Sequence, residues 1–335
     1  MNTAIIGAGG IAEPHVKALA SLGVRIAGVL DVNKANAAAL AERCGSRAIG
    51  DIGEVGGEID MVHILTPPSR RVEYVKQAAR AGKHIFIEKP IATTVEDAEQ
   101  IIAAAKGAGV KLMVDFNHRF RDGYLMLKNA YDNGDLGDIV SIYAHRYGAG
   151  HGFLGAFKQS WRTQKEFLCG MCVESLSHDI DMILQITGGI KTVSAAATES
   201  IADLPGFDNN VSAFFRTRGG AAGSIHASWS SHLGHSERGV IGTKGSAVVS
   251  GGDLFSFEEF TVRTEDMQYP RTTKLGELFS LTDDRSFYRT NEHFLACIRD
   301  GSEPSASGAD GLRALIVSRA ILESSRLGVP VDVDI

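Results

Sequence analysis

The chain has 335 residues, enough for about two domains with ample core. A formal net charge of −6 argues against a nucleic-acid or anionic-membrane partner, and no run of about eighteen apolar residues offers a membrane span. Met1-Asn2-Thr3 has no basic region and leads straight into a strand, so no secretion signal is expected; with four cysteines that make no disulfide framework, the expected home is the cytoplasm.

Thr3-Ala4-Ile5-Ile6 reads as a short buried strand. It runs into Gly7-Ala8-Gly9-Gly10-Ile11-Ala12 and a helix through about Ser21. In this G-x-G-x-x-A pattern the first glycine makes a tight turn and the second admits a pyrophosphate. The small third residue lets helix and strand pack closely, and the helix N-terminus faces the phosphates. Such a pattern is weak alone. Here it follows a strand, precedes a helix, and is followed by a second strand, Val24–Leu30, that ends at Asp31. An acid there can hold a ribose diol and repel a 2′-phosphate, so NAD is expected over NADP, although Lys34 is a nearby cation.

The alternation continues. Ala35–Arg43 reads as a helix, Ile59–Leu65 as a strand ending at Thr66-Pro67-Pro68, and Arg71–Ala81 as a helix closed by Gly82. His84–Ile87 is a strand ending in Glu88-Lys89-Pro90, Val95–Ala108 a helix, and Val110–Val114 a strand ending in Asp115-Phe116-Asn117-His118-Arg119-Phe120. Strands alternating with helices predict an α/β domain over residues 1–120, a doubly wound parallel sheet of the Rossmann kind. Ligands of such sheets bind beyond the strand C-termini, so Thr66, Lys89 and Asn117 are expected to line one crevice.

From residue 121 to 335 the pattern is α+β. A helix over Tyr124–Asn133 leads to extended segments at Ile139–Tyr147, Thr192–Thr198, Asn210–Thr217, Ala222–Ser230, Glu237–Gly242 and Gly245–Ser250, which predict a mostly antiparallel sheet. Helices at Asn291–Arg299 and Leu312–Leu327 close the chain, with room to pack back on the first domain. The stretch Cys169–Leu184 reads as a helix: Gly170 precedes an apolar set of Val173, Leu176, Ile180, Ile183 and Leu184 at helical spacing. Glu174, His178 and Asp181 would then share one face. A carboxylate one turn from a histidine orients the ring and favours its charged form; the plain alternative is a solvated face with an ordinary ion pair.

Together these residues resemble the glucose–fructose oxidoreductase, inositol dehydrogenase and rhizopine catabolism (Gfo/Idh/MocA) family. The matches are the glycine turn, Thr66-Pro67-Pro68, Ala81-Gly82-Lys83-His84 leading to Glu88-Lys89-Pro90, Trp161-Arg162, and His178-Asp179-Ile180-Asp181. They cover nearly the whole chain. The resemblance implies a Rossmann domain joined to an open-faced sheet domain, with nicotinamide and substrate between them. It implies oxidation or reduction of a secondary carbinol of a sugar, polyol or sugar derivative. Lys89 would hydrogen-bond the reacting oxygen, His178 would be the acid/base, Glu174 would stand in the place of its carboxylate partner, and the Lys89–Pro90 bond would be cis. Cofactor contacts are expected from Gly7, Gly9, Gly10, Ile11, Ala12, Asp31, Thr66, Pro67, Glu88, Lys89 and Asn117. Substrate contacts are expected from Lys89, Asn117, Arg146, Trp161, Arg162, His178, Asp181 and His232. The chain departs from the family in three places: Glu174 where aspartate is frequent, Arg71 where histidine is common, and Cys169 in place of a glycine.

The expected activity is an NAD-dependent oxidoreductase of a carbohydrate or polyol. A glycosidase with transient oxidation, a non-catalytic cofactor-sensing regulator and a reductase of another small carbonyl compound are the alternatives; intact Lys89 and His178 argue against the regulator. Cys169 and Cys172 form a C-x-x-C with no second pair or close histidine pair, so a reduced, metal-free role is expected. His226, His232 and His235 could read sugar hydroxyls or be surface residues. Phe153, Phe157 and Trp161 could form an apolar wall or anchor a loop. Val211–Phe215 and Ile225–Trp229 are apolar enough to predict an open face covered by a second copy, in a homodimer or homotetramer.

Overall fold

A computed structural model describes residues 1–148, 161–201, 204–277, 284–333 and 335. The chain divides into two units, Met1–Asn117 with Ser280–Leu312, and His118–Phe279 with Arg313–Ile335. The first holds β1 (Asn2–Ile6), α1 (Ala12–Ser21), β2 (Arg25–Leu30), α2 (Lys34–Arg43), β3 (Met61–Ile64), α3 (Arg71–Arg80), β4 (His84–Glu88), α4 (Val95–Gly107) and β5 (Leu112–Asp115). The five strands form one parallel sheet in the order β2-β1-β3-β4-β5. Ala4, Ile5, Ile6, Val62, Ile64, Ile85 and Ile87 are fully buried. Consecutive strand residues point to opposite faces, so runs of this kind need cover on both sides. The order turns between β1 and β3, which sets the Gly7 and Thr66 turns side by side at the strand C-termini. A returning helix, α8 (Arg285–Asp300), packs on α1. It begins six residues before the predicted Asn291, because Asp284 accepts a hydrogen bond from the Ser286 amide and caps it.

The second unit holds α5 (Asp122–Asp132), β6 (Ile139–Tyr147), α6 (Met171–Glu174), α7 (Ser177–Thr187) and β7 (Ile190–Thr198). After these come β8 (Asn210–Thr217), β9 (Ala222–Ser228), β10 (His235–Gly242), β11 (Gly245–Gly251), β12 (Phe257–Thr264), β13 (Arg271–Glu277), most of α9 (Gly308–Leu327) and β14 (Val331–Asp332). One nine-stranded sheet runs β13-β12-β11-β10-β6-β9-β8-β7-β14, antiparallel except for the β6–β9 pair. β12, β13 and β14 were not expected. β13 is a largely solvated edge, where Lys274 pairs with Glu259 and Thr272 with Thr261, and its sequence lacks the apolar alternation that marks a half-buried strand.

The open face differs from the expectation. Val211, Ala213 and Phe215 on β8, and Ile225, Ala227 and Trp229 along and just beyond β9, are all buried. The residues between them fall on the opposite face, which carries Ser212, His226, Tyr143, His145, Tyr147 and Glu237. That face is polar and aromatic; Phe214, 70 % exposed, is its main apolar feature. Period-two alternation accounts for the apolar character of the two segments without an apolar outer surface.

Gly7 illustrates how tightly the first turn is built. Its φ is +102°, and a Cβ there would lie 2.8 Å from the Leu65 carbonyl carbon, whereas a Cβ at Gly10 meets nothing within 4 Å. Gly7→Ala is expected to lose about 2–4 kcal/mol of stability through strain and overlap, and Gly10→Ala about 0.5 kcal/mol or less. Urea unfolding of both variants checks the contrast; equal losses would contradict it.

Candidate active site

In the first unit the crevice edge is assembled from strand ends. The Ala8 amide donates to Asp31 Oδ2 at 2.7 Å and the Asn33 amide to Asp31 Oδ1 at 2.7 Å. The acid at the end of β2 therefore anchors both the glycine turn and its own loop. Gly9 and Gly10 are exposed, with open space where side chains would stand. Thr66 and Pro67 follow β3, both half-buried. Lys89 follows β4, half-buried, and the Lys89–Pro90 peptide is cis.

Two nominated cofactor contacts turn elsewhere. Glu88 is 6 % exposed, and its carboxylate points inward to His15 Nε2 at 3.2 Å. Asp115 lies 3.4 Å from the same nitrogen. Burial alone would weaken proton binding by His15, but the Asp115 and Glu88 carboxylates outweigh it and push the imidazole up to about 9. Burial raises Asp115 to about 6, while it lowers His63, stacked against Phe86 nearby, to about 3. Asn291 touches both rings, its Oδ1 2.8 Å from His63 Nε2 and its Nδ2 3.2 Å from His15 Nδ1. Asn117 Nδ2 donates to Ser286 Oγ at 2.9 Å and is also buried. A strand end in a parallel sheet points alternate side chains into the core, and Glu88 and Asp115 pair across β4 and β5 with that orientation.

In the second unit the predicted single helix is two. The chain leaves α6 at Ser175 and Leu176, whose amides both return to the Met171 carbonyl, and re-enters α7 at Ser177. Glu174 therefore belongs to a separate turn, where Arg162 pairs with it. His178, 8 % exposed, stacks on His118 with ring centroids 3.9 Å apart and planes 10° from parallel. Burial holds His118 well below the ordinary histidine range, helped by His178, Arg121, Arg238 and Arg146. Asp181 accepts from Arg119, whose Nε lies 2.7 Å from Oδ2. Arg162 also lies over the Trp161 ring at 4.4 Å.

Arg146 was expected to meet substrate. The structure buries it to 2 % and pairs its Nε with Asp179 at 2.7 Å, while Arg238 Nε holds the other oxygen of Asp179 at 2.8 Å. It lies on the inner face of β6, where alternation buries residues 142, 144 and 146, and burial lowers its guanidinium to about 10. His232 is exposed in the β9–β10 connection, and His226 and His235 lie on the open sheet face, His226 against Ser212 at 2.7 Å. Phe153 and Phe157 lie outside the described residues. Cys169 and Cys172 are buried thiols, and Cys172 donates to the Ser318 carbonyl. His118, Arg119, Asp179 and His15 were not singled out from the sequence. The run Asn117-His118-Arg119 just past β5 is the signal that would have found two of them.

Residues 1–116 match the family described as oxidoreductase family, NAD-binding Rossmann fold, and residues 124–248 match the GFO/IDH/MocA C-terminal domain. Inositol 2-dehydrogenase of Rhizobium meliloti (strain 1021) is 30% identical over 330 residues, 96% of this chain and 95% of that one. The NAD(+)-dependent scyllo-inositol 2-dehydrogenase of Bacillus subtilis (strain 168) is 27% identical over 356 residues, covering 100% and 97% of the two chains. Among solved structures, levoglucosan dehydrogenase in complex with NADH and L-sorbose superimposes with a TM-score of 0.88 at 26% identity, covering 100% and 99%. The chain belongs to the Gfo/Idh/MocA family of oxidoreductases, with an NAD-binding Rossmann unit.

Asp179 is the anion shared by two buried guanidinium groups. Asp179→Asn leaves both underneutralised in the interior and is expected to cost about 3–5 kcal/mol. The urea midpoint reads this directly, and a shift worth less than about 1 kcal/mol would contradict the assignment.

Proposed function

We propose that this chain is an NAD-dependent dehydrogenase that oxidises a secondary carbinol of a cyclic polyol or sugar and reduces the matching ketone in reverse. The observation that carries the reading is that the likeness to inositol dehydrogenases spans both units, the one with the glycine turn and Lys89 and the one with His178.

The residues present suit the cofactor. The open space over Gly9 and Gly10 at the start of α1 fits a pyrophosphate, and the Asp31 carboxylate fits a ribose diol without a 2′-phosphate. Bound NAD supplies the hydride acceptor. Lys89 donates a hydrogen bond to the carbinol oxygen and stabilises the negative charge that gathers there. His178 accepts the hydroxyl proton, and a neutral imidazole suits that task near physiological pH. Stacking on His118 fixes its ring plane. Asp181, held by Arg119, and Glu174, held by Arg162, are acceptors for the remaining hydroxyls. Trp161 offers an apolar face to the ring.

The test is a screen of inositols, anhydrosugars and hexoses with NAD and with NADP, read by nicotinamide absorbance. NAD-linked oxidation of at least one is expected; no turnover with any, or a specificity constant favouring NADP, counts against the reading. On the confirmed substrate, His178→Ala and Lys89→Ala should each lower turnover by about 10²–10⁴-fold. Near-wild-type turnover in His178→Ala would remove it from the mechanism.

The same reading places the enzyme in the cytoplasm, where its free thiols stay reduced. Among the described residues no helix is long and apolar enough to cross a membrane. The enzyme assembles as a homodimer or homotetramer. Sedimentation at micromolar concentration should give a dimeric or larger mass, and a monomeric mass would refute assembly.

A further inference from the structure

Arg71 opens α3, directly after the Thr66-Pro67-Pro68 turn, and is 2 % exposed. Its Nε and Nη2 donate to the Thr66 carbonyl at 3.0 and 2.8 Å. Its Nη1 donates to the carbonyls of Glu88 and Pro90. Those two residues flank Lys89. One guanidinium thus ties the end of β3 to both sides of the lysine turn at the end of β4. Five donors in a rigid planar fork can reach three carbonyls at fixed angles, whereas a lysine ammonium is a point donor on a flexible stem. The Glu88 side chain is independently tied to His15 beneath the turn.

We propose that Arg71 is a positioning residue for the dehydrogenase reaction: it fixes the main chain before and after Lys89, and so sets where the ammonium meets the developing oxyanion. This rests on the reading of Lys89 as the partner of the reacting oxygen. A buried cation among main-chain oxygens costs desolvation, which is repaid here by charge-assisted hydrogen bonds to three carbonyls. A stabiliser of developing charge works only when already in place, and a misplacement of about 1 Å costs on the order of 10²-fold in rate.

The experiment measures kcat at saturating NAD and confirmed substrate for wild type, Arg71→Gln, Arg71→Lys, Lys89→Ala and the Arg71→Gln/Lys89→Ala double variant, each checked for folding by circular dichroism. Arg71→Gln is expected to lower kcat by about 10²-fold. In the Lys89→Ala background the same change should lower it by less than about threefold, because the group being positioned is gone. Equal factors in both backgrounds would show Arg71 acting elsewhere and overturn the inference, while the role of Lys89 stands. If Arg71→Gln does not fold, Arg71→Lys carries the comparison, and a folded Arg71→Lys with wild-type kcat overturns the inference equally. Wild-type kcat in Lys89→Ala would instead overturn the reading of Lys89, and this inference with it.

Discussion

A parallel sheet ends all its strands along one edge, and the main-chain groups released there need partners. In the first unit two side chains meet that need. Asp31 takes the amides of Ala8 and Asn33, and Arg71 takes the carbonyls of Thr66, Glu88 and Pro90. The crevice edge is therefore held by two side chains of opposite charge, each bonded to main chain. Because the contacts are to backbone, the turns are held through their main chain.

The second unit solves a different problem, that of placing several cations in an interior. Arg146 and Arg238 share Asp179, Arg119 holds Asp181, and Arg121 lies over Phe257 while donating to the Phe255 carbonyl. Three polar side chains within four residues thus have distinct duties at the start of α7. His178 meets His118, Asp179 faces the sheet, and Asp181 is set by a guanidinium. The cost of unpaired buried charge makes this arrangement specific, since no member can rotate away without stranding another.

The Rossmann unit was legible because its signals are local. Apolar runs, a glycine turn and an acid at a strand end sit within about 30 residues of each other, as the dinucleotide fold requires. The place of Lys89 at a strand end, between Glu88 and Pro90, was legible for the same reason. What escaped depends on pairings distant in sequence. Glu88 was expected at the cofactor because its position says strand end, but only His15, 73 residues away, reveals that it faces inward. Arg146 looked like a substrate arginine until Asp179 and Arg238 joined it. The break between α6 and α7 lies in Ser175 and Leu176, two residues whose helical propensity gives no warning. β13 was missed because an edge strand need not alternate.

The His118–His178 stack has a spectroscopic consequence. Two aromatic rings 3.9 Å apart and nearly parallel each place the other's carbon-bound protons above a circulating π-current. Those protons resonate upfield of ordinary imidazole signals, and they return towards them when the rings part. The pair is thus a built-in magnetic gauge of whether the imidazole on α7 is held flat at a given moment.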